Sequence, residues 1–178
     1  MHPVMRHLAR DHVAMQAVLD AVEREVAVAE AGGPLDSELV VLALRYLRDF
    51  PEWHHHPLEE ALFARAIGRD PGCEEAFAEV WAEHDRFPAA SQRLLDWFED
   101  GPGAPSMTAA EALGELGRYA AGQRRHIRRE NDEVFLVLLS VLTDEDWEVG
   151  GSASVDGTAG AFKPLFDRIQ AAGASATR

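Results

Sequence analysis

Four stretches of this chain carry apolar residues in alternating steps of three and four, and each stripe has a histidine on or beside it. That spacing is the period of an amphipathic helix, and no alternating strand pattern of useful length competes with it. The first stripe, between about Val4 and Ala31, reads Leu8, Met15, Leu19, Val22, Val26 and Ala29, with His12 filling the step between Leu8 and Met15. The second reads Leu39, Leu42, Tyr46, Phe50, Trp53, Glu60, Ala64 and Ile67. The third reads Phe77, Val80, His84, Phe87, Ser91, Leu94 and Phe98, and the fourth Leu116, Tyr119, Gln123, His126, Glu130, Val134, Val137 and Val141. Gly32, Gly33 and Pro34 end the first helix, and Asp36 or Ser37 offers a cap for the second. Turns are expected from Gly68 to Gly72 and from Asp100 to Ser106, and Thr108 with Glu111 forms a capping box for the fourth helix. Four amphipathic helices with short connections imply an all-α fold, an up-down-up-down antiparallel four-helix bundle over residues 1–148. Residues 149–178 form an extension. Its Gly/Ser-rich linker, Gly150 to Gly160, precedes Phe162, Leu165, Phe166 and Ile169, which either form a short helix folding back on the bundle or belong to a flexible tail.

The length, 178 residues, suits one bundle with its extension, and 47% apolar residues suffice for a core. A formal charge of -14 argues against nucleic acid and anionic membrane surfaces as partners, and leaves a metal cation as the natural charged one. Cys73 is the only cysteine, which permits no internal disulfide and no thiolate cluster. The N-terminus lacks an apolar stretch of signal type, and no run is long enough to span a bilayer, so a cytoplasmic protein is expected.

The histidines share a depth. His12 lies twenty residues before Gly32 and His56 twenty after Asp36; His56 lies twelve before Gly68 and His84 eleven after Cys73; His84 lies sixteen before Asp100 and His126 eighteen after Thr108. In an antiparallel bundle these mismatches amount to roughly 0 to 3 Å along the axis. Three of the eight histidines have a glutamate four residues on: His55 with Glu59, His56 with Glu60, and His126 with Glu130. Extending the second stripe at about 100° per residue puts Trp53 and Glu60 near the seam, His56 within about 60° of it, and His55 away. The expected ligands are therefore His12, His56, Glu60, His84, His126 and Glu130, with His54, His55 and Glu59 peripheral. Pro57 after His56 implies either a local adjustment of the ligand helix or a plain bend, and Pro88 has the same two readings.

Four imidazoles and two carboxylates in an apolar core would cost several kcal/mol without a metal. Six donors are too many for four-coordinate zinc and suit two ions sharing two carboxylate bridges, with positions open for water, oxo or dioxygen. Redox-active iron is the natural choice, with manganese and zinc left open.

The order His, HxxxE, His, HxxxE across four helices resembles the hemerythrin-like, HHE cation-binding family. It stands here as RDH at Arg10–His12, HHPLEEALF at His55–Phe63, AEH at Ala82–His84 and RRHIRREN at Arg124–Asn131. Asp146–Trp147 and Pro164–Phe166 also resemble the tail of a bacterial subgroup. The resemblance implies a non-haem centre of two iron ions, oxo- or hydroxo-bridged, with both glutamates bridging. The chain departs from the oxygen carriers of the family, which place a further histidine where Pro88 stands and end with HxxxxD rather than HxxxE. It also lacks the N-terminal cysteines of related di-iron repair proteins, and its only ExxH, Glu52–His55, is expected off the seam.

Three functions are compatible with such a centre: a protein that binds or senses dioxygen, nitric oxide or iron; an enzyme reducing peroxide or nitric oxide; and an interaction module with a structural metal. No clear proton donor stands beside the layer: Tyr119, two turns from His126, is expected in the core, and Trp53, one turn from His56, is expected to pack, with gating of electron or solvent access as its alternative. A protein partner is not specified by the sequence.

Overall fold

The computed structural model describes residues 2–100, 107–148 and 157–175, and among them there is helix and no strand. Helix α1 spans Pro3–Glu30, α2 Ser37–Phe50, α3 His56–Arg69, α4 Ala78–Asp100, α5 Ala109–Arg129, α6 Phe135–Val141 and α7 Gly157–Ser175. Short 3-10 turns occupy Pro71–Ala76 and Asp144–Trp147. No helix among the described residues is long and apolar enough to cross a membrane.

Local chemistry sets the ends. Gly32 closes α1 with φ 81°, a left-handed conformation that a side chain would strain, while Gly33 N–H donates back to Val28 O at 2.9 Å. Asp36 caps α2 by accepting from Leu39 N–H (3.0 Å), and Thr108 and Glu111 form the expected capping box on α5. The loop expected from Asp100 to Ser106 falls almost wholly outside the described residues.

Helix α1 packs on α2 and α5, and α4 packs on the same two. The apolar side chains form two clusters. One gathers Met15, Leu19, Val22, Leu39, Phe50, Leu94, Leu116 and Ile127. The other gathers Met5, Leu8, Leu62, Phe63, Phe77, Val80, Val134, Phe135, Leu138 and Trp147. Along α1, along α4 and along the runs from α2 into α3 and from α5 into α6, the change from one cluster to the other falls at a histidine or glutamate, so a polar layer lies between two apolar cores.

Two wide turns alter the expected phase. Residues Pro51–His55 and Glu130–Val134 are π-helical: His56 N–H bonds to Pro51 O, and Phe135 N–H to Glu130 O. One extra residue in a turn rotates every later side chain by about 100°. The inward stripe after Phe50 therefore runs through His55, Glu59, Leu62, Phe63 and Ala66, not through Trp53, Glu60, Ala64 and Ile67. Trp53 is 73% exposed, which corrects its expected packing role. The prolines explain why the ladder gives way here: Pro51 has no N–H for Leu47 O, and Pro57 none for Trp53 O. After Glu130 the same slip carries burial to Phe135 and Leu138, leaving Val137 and Val141 partly exposed.

Much of the Gly/Ser-rich linker, residues 149–156, lies outside the described residues. Helix α7 packs on α2 and α1, buries Ile169 completely, and sets Phe162 edge-on to Phe50 at 5.5 Å.

Candidate metal centre

The polar layer contains His12 from α1, His55 at the end of the first π turn, His56 and Glu59 from α3, His84 from α4, His126 from α5 and Glu130 opening the second π turn. All are buried, and the Glu59 and Glu130 side chains are 0% exposed. They fall into two pockets. In the first, His12 Nε2 lies 2.9 Å from His55 Nε2, 3.2 Å from Glu130 Oε2 and 4.0 Å from Glu59 Oε1, and His55 Nε2 lies 3.3 Å from Glu59 Oε1. The second groups His56, His84 and His126. There His84 Nε2 lies 3.6 Å from Glu59 Oε2 and 3.4 Å from Glu130 Oε1, and His126 Nε2 lies 3.0 Å from Glu130 Oε1. Each carboxylate thus presents one oxygen to each pocket.

The outer nitrogens are held as consistently as the inner ones converge. His12 Nδ1 donates to Asn131 Oδ1 (3.0 Å), His55 Nδ1 to Asp11 Oδ2 (3.1 Å), His56 Nδ1 to Glu52 Oε1 (3.1 Å) and His126 Nδ1 to Glu83 Oε2 (3.0 Å). An oxygen on Nδ1 fixes the proton there and leaves Nε2 as a lone-pair donor, the outer arrangement that metal-ligating histidines show. Arg129 Nη1 steadies Glu83 from the far side at 2.9 Å.

Of the six residues expected as ligands, the structure brings His12, His56, His84, His126 and Glu130 into the layer. Glu60 is placed elsewhere. Its side chain is 51% exposed, with Oε1 3.7 Å from His84 Nδ1 on the outward side. His55 and Glu59, expected to be peripheral, occupy the centre, and the physical reason is the π turn at Pro51. One signal in the chain pointed to them: Glu59, Leu62, Phe63 and Ala66 make a tighter helical stripe than Glu60, Ala64 and Ile67. His56 stays inward as well, its ring stacked on that of His84 at 3.6 Å and 12°.

The electrostatics suit a cation. Burial pushes the Glu130 carboxyl up, but the imidazoles of His12, His126 and His84 beside it outweigh that and hold the group well below the usual carboxylate range. Burial lowers the His55 imidazole, yet the Glu59 charge and the Asp11 hydrogen bond bring it up to about 10. Burial likewise works against His126, which Glu130 and Glu83 raise to about 9. His56, with burial dominant, falls to about 4 and is neutral. Even so, Glu59 Oε1 and Oε2, Glu130 Oε2, His84 Nδ1 and His126 Nε2 are buried without a hydrogen-bond partner. Such orphaned donor atoms, nearly all facing one another, are the observation that the residues fit metal ions. Tyr119, by contrast, is a core residue as expected: its hydroxyl accepts from Ser91 (2.6 Å) and Gln123 (3.0 Å), and burial pushes its pKa up to about 12.

A family model described as the hemerythrin HHE cation binding domain matches residues 3–138. Searches of curated proteins and of solved structures returned no match.

Proposed function

The chain belongs to the hemerythrin HHE cation-binding family, and on that premise we propose that it is a non-haem di-iron protein that binds or senses dioxygen, nitric oxide or iron supply. The observation that carries this reading is the pair of buried glutamates, each with one oxygen toward each imidazole pocket. In this reading His12 and His55 would hold one ion and His56, His84 and His126 the other, with Glu59 and Glu130 offering an oxygen to each. Glu60 becomes an outer group beside His84. Imidazole and carboxylate donors suit iron, and this many donors exceeds what tetrahedral zinc takes. Bound iron supplies reversible one-electron chemistry and affinity for small diatomic ligands.

The protein's part is arrangement and exclusion. The His12–His55 pocket has fewer donors than the other, so it is the side with room for an external ligand. Phe135, stacked on the His12 ring at 5.4 Å and 2°, walls that pocket from water. We assign residues 1–148 to a metal-binding bundle of up-down-up-down topology and 149–178 to an extension that responds to it. Support for the second assignment is a run of contacts: His54, next to His55, meets Phe50 at 5.1 Å, and Phe50 meets Phe162 of α7.

Metal analysis and the absorption spectrum of protein from iron-supplied cells test the proposal. Two irons per chain, near-ultraviolet oxo-bridge bands and reversible spectral change with dioxygen or nitric oxide are expected. Steady-state turnover of peroxide or nitric oxide would make the protein an enzyme. A zinc-loaded, spectroscopically silent protein would make the metal structural.

A further inference from the structure

Beside the central layer lies a second group of donors, outside its two pockets. His7 and Asp11 stand one turn apart on the same face of α1, and His54 reaches them from the π turn Pro51–His55. The wide turn buries three consecutive histidines, with His54 8%, His55 1% and His56 7% exposed. His55 and His56 turn to the layer, and His54 turns to α1. His7 Nε2 and His54 Nε2 meet head-on at 3.2 Å, and Asp11 Oδ2 lies 3.5 Å from the first and 3.9 Å from the second. The point equidistant from these three atoms is about 2.1 Å from each, the length of a zinc–nitrogen or zinc–oxygen bond. The side chains of His7 and Asp11 are each 9% exposed and that of His54 3%, so the group is enclosed on the protein side.

We propose that His7, Asp11 and His54 form a separate mononuclear site for a divalent transition cation, zinc foremost. Two imidazoles and one carboxylate are a donor set that zinc accepts, with a fourth position for water. Asp11 also lines a cavity of about 170 Å³ with Tyr46, Phe50 and Phe162. The exposed Arg10, whose Nη2 lies 3.4 Å from His7 Nδ1, must turn outward when that nitrogen carries the proton, and its surface position leaves it free to do so. Asp11 Oδ2 also accepts from His55 Nδ1, so one carboxylate would serve as ligand here and as outer partner to the central layer.

The test uses the full chain, stripped with chelator and dialysed to equilibrium against zinc. The unaltered protein should hold one more zinc per chain than His7→Ala, whatever number the central layer takes, so the result stands apart from the di-iron reading. Equal stoichiometry in the two proteins would overturn the site. If circular dichroism shows that His7→Ala does not fold, crystals of the unaltered chain in zinc decide. Anomalous density within bonding distance of His7, Asp11 and His54 supports the site, and its absence there overturns it.

Discussion

Exchanging Glu59 for Gln, with Glu60→Gln beside it, separates two helix phases that differ by one residue. Glu59 is wholly buried, and neither of its oxygens has a hydrogen-bond partner. A buried polar group left unsatisfied costs on the order of 1–3 kcal/mol. Glutamine keeps the shape and removes the charge, which relieves the unsatisfied oxygens but also takes the partner from the charged His55, so the metal-free variant should stay within about that range of the parent's stability. For a chain of this size each kcal/mol moves Tm by roughly 2–4 °C. The loaded protein should lose more. Glu59 faces both pockets, so each ion loses an anionic oxygen, a larger loss than the roughly 10–100-fold that removal of an outer partner costs. Glu60 is half exposed and 3.7 Å from His84 Nδ1, a screened interaction worth about 0–1 kcal/mol, less than tenfold in affinity. Thermal melts followed by circular dichroism, with and without iron and with metal analysis of each sample, read all four states. Glu59→Gln should hold fewer than two ions and gain less in melting temperature from iron than the parent does, while Glu60→Gln should match the parent. Should Glu60→Gln strip the metal while Glu59→Gln keeps both ions and the bridge bands, the π-turn register is wrong.

The same register separates two histidines: His55→Ala should empty the His12 pocket, whereas His56→Ala should leave it filled and weaken only the His84–His126 pocket, as read from metal content and the visible spectrum. Leu62→Ala, at a 0% exposed position, should cost about 2–5 kcal/mol in denaturant unfolding, against no more than about 0.5 kcal/mol for the exposed Trp53→Ala. Asp146 is lowered to about 2 by the Thr143 N–H and the Arg69 guanidinium. Because the folded value lies below the ordinary 3.8, its stabilisation is fully present above that pH and is lost as pH falls through about 2. An acid-unfolding comparison with Asp146→Asn should therefore show a constant gap above about pH 4 that closes near pH 2. Truncation after Glu148 should leave the metal bound and lower Tm, since α7 buries Ile169 on the bundle but supplies no donor to the layer; loss of metal in that protein would show that the extension helps close the site.

The stripes of α1 and α4 were legible residue by residue, because nothing interrupts their period: His12 and His84 face inward where a 3.6-residue repeat puts them. The segment from Ser37 to Arg69 was legible only as far as Phe50. Periodicity assumes that every turn takes the same number of residues, and Pro51 and Pro57 remove two of the donors that enforce this. Beyond them the apolar run Leu62, Phe63 and Ala66 competes with the extrapolated stripe, and burial of Phe63 against Phe77 at 4.6 Å decides in its favour. A slip of one residue is small in sequence, but it exchanges Glu60 for Glu59 and adds His55. The partners on Nδ1 were beyond sequence reading for another reason. Asp11, Glu52, Glu83 and Asn131 are polar residues at helix positions that read as solvated faces; Glu52 lies one turn before His56 on the same run, and for the other three only the crossing of the helices turns them toward the rings.

The order of apolar core, polar layer, apolar core bears on how the metal relates to folding. The caps at Asp36 and Thr108, the cluster around Leu19 and Leu116 and the cluster around Phe63 and Phe77 contain no donor to the layer. They can therefore form with the layer in its protonated state, in which His55 and His126 carry charge beside Glu59 and Glu130. This differs from small metal domains, whose fold is inseparable from the ion. Here the flanking cores hold the donors in place before any ion arrives, and the layer's orphaned atoms are the local instability that binding relieves. In the proposed sensing role, a response to metal or ligand would need no global unfolding, because the two π turns sit at the layer itself and the cores on either side contain none of its donors. A change in the layer reaches the rest of the chain most directly where the first π turn meets Phe50 and, through it, α7.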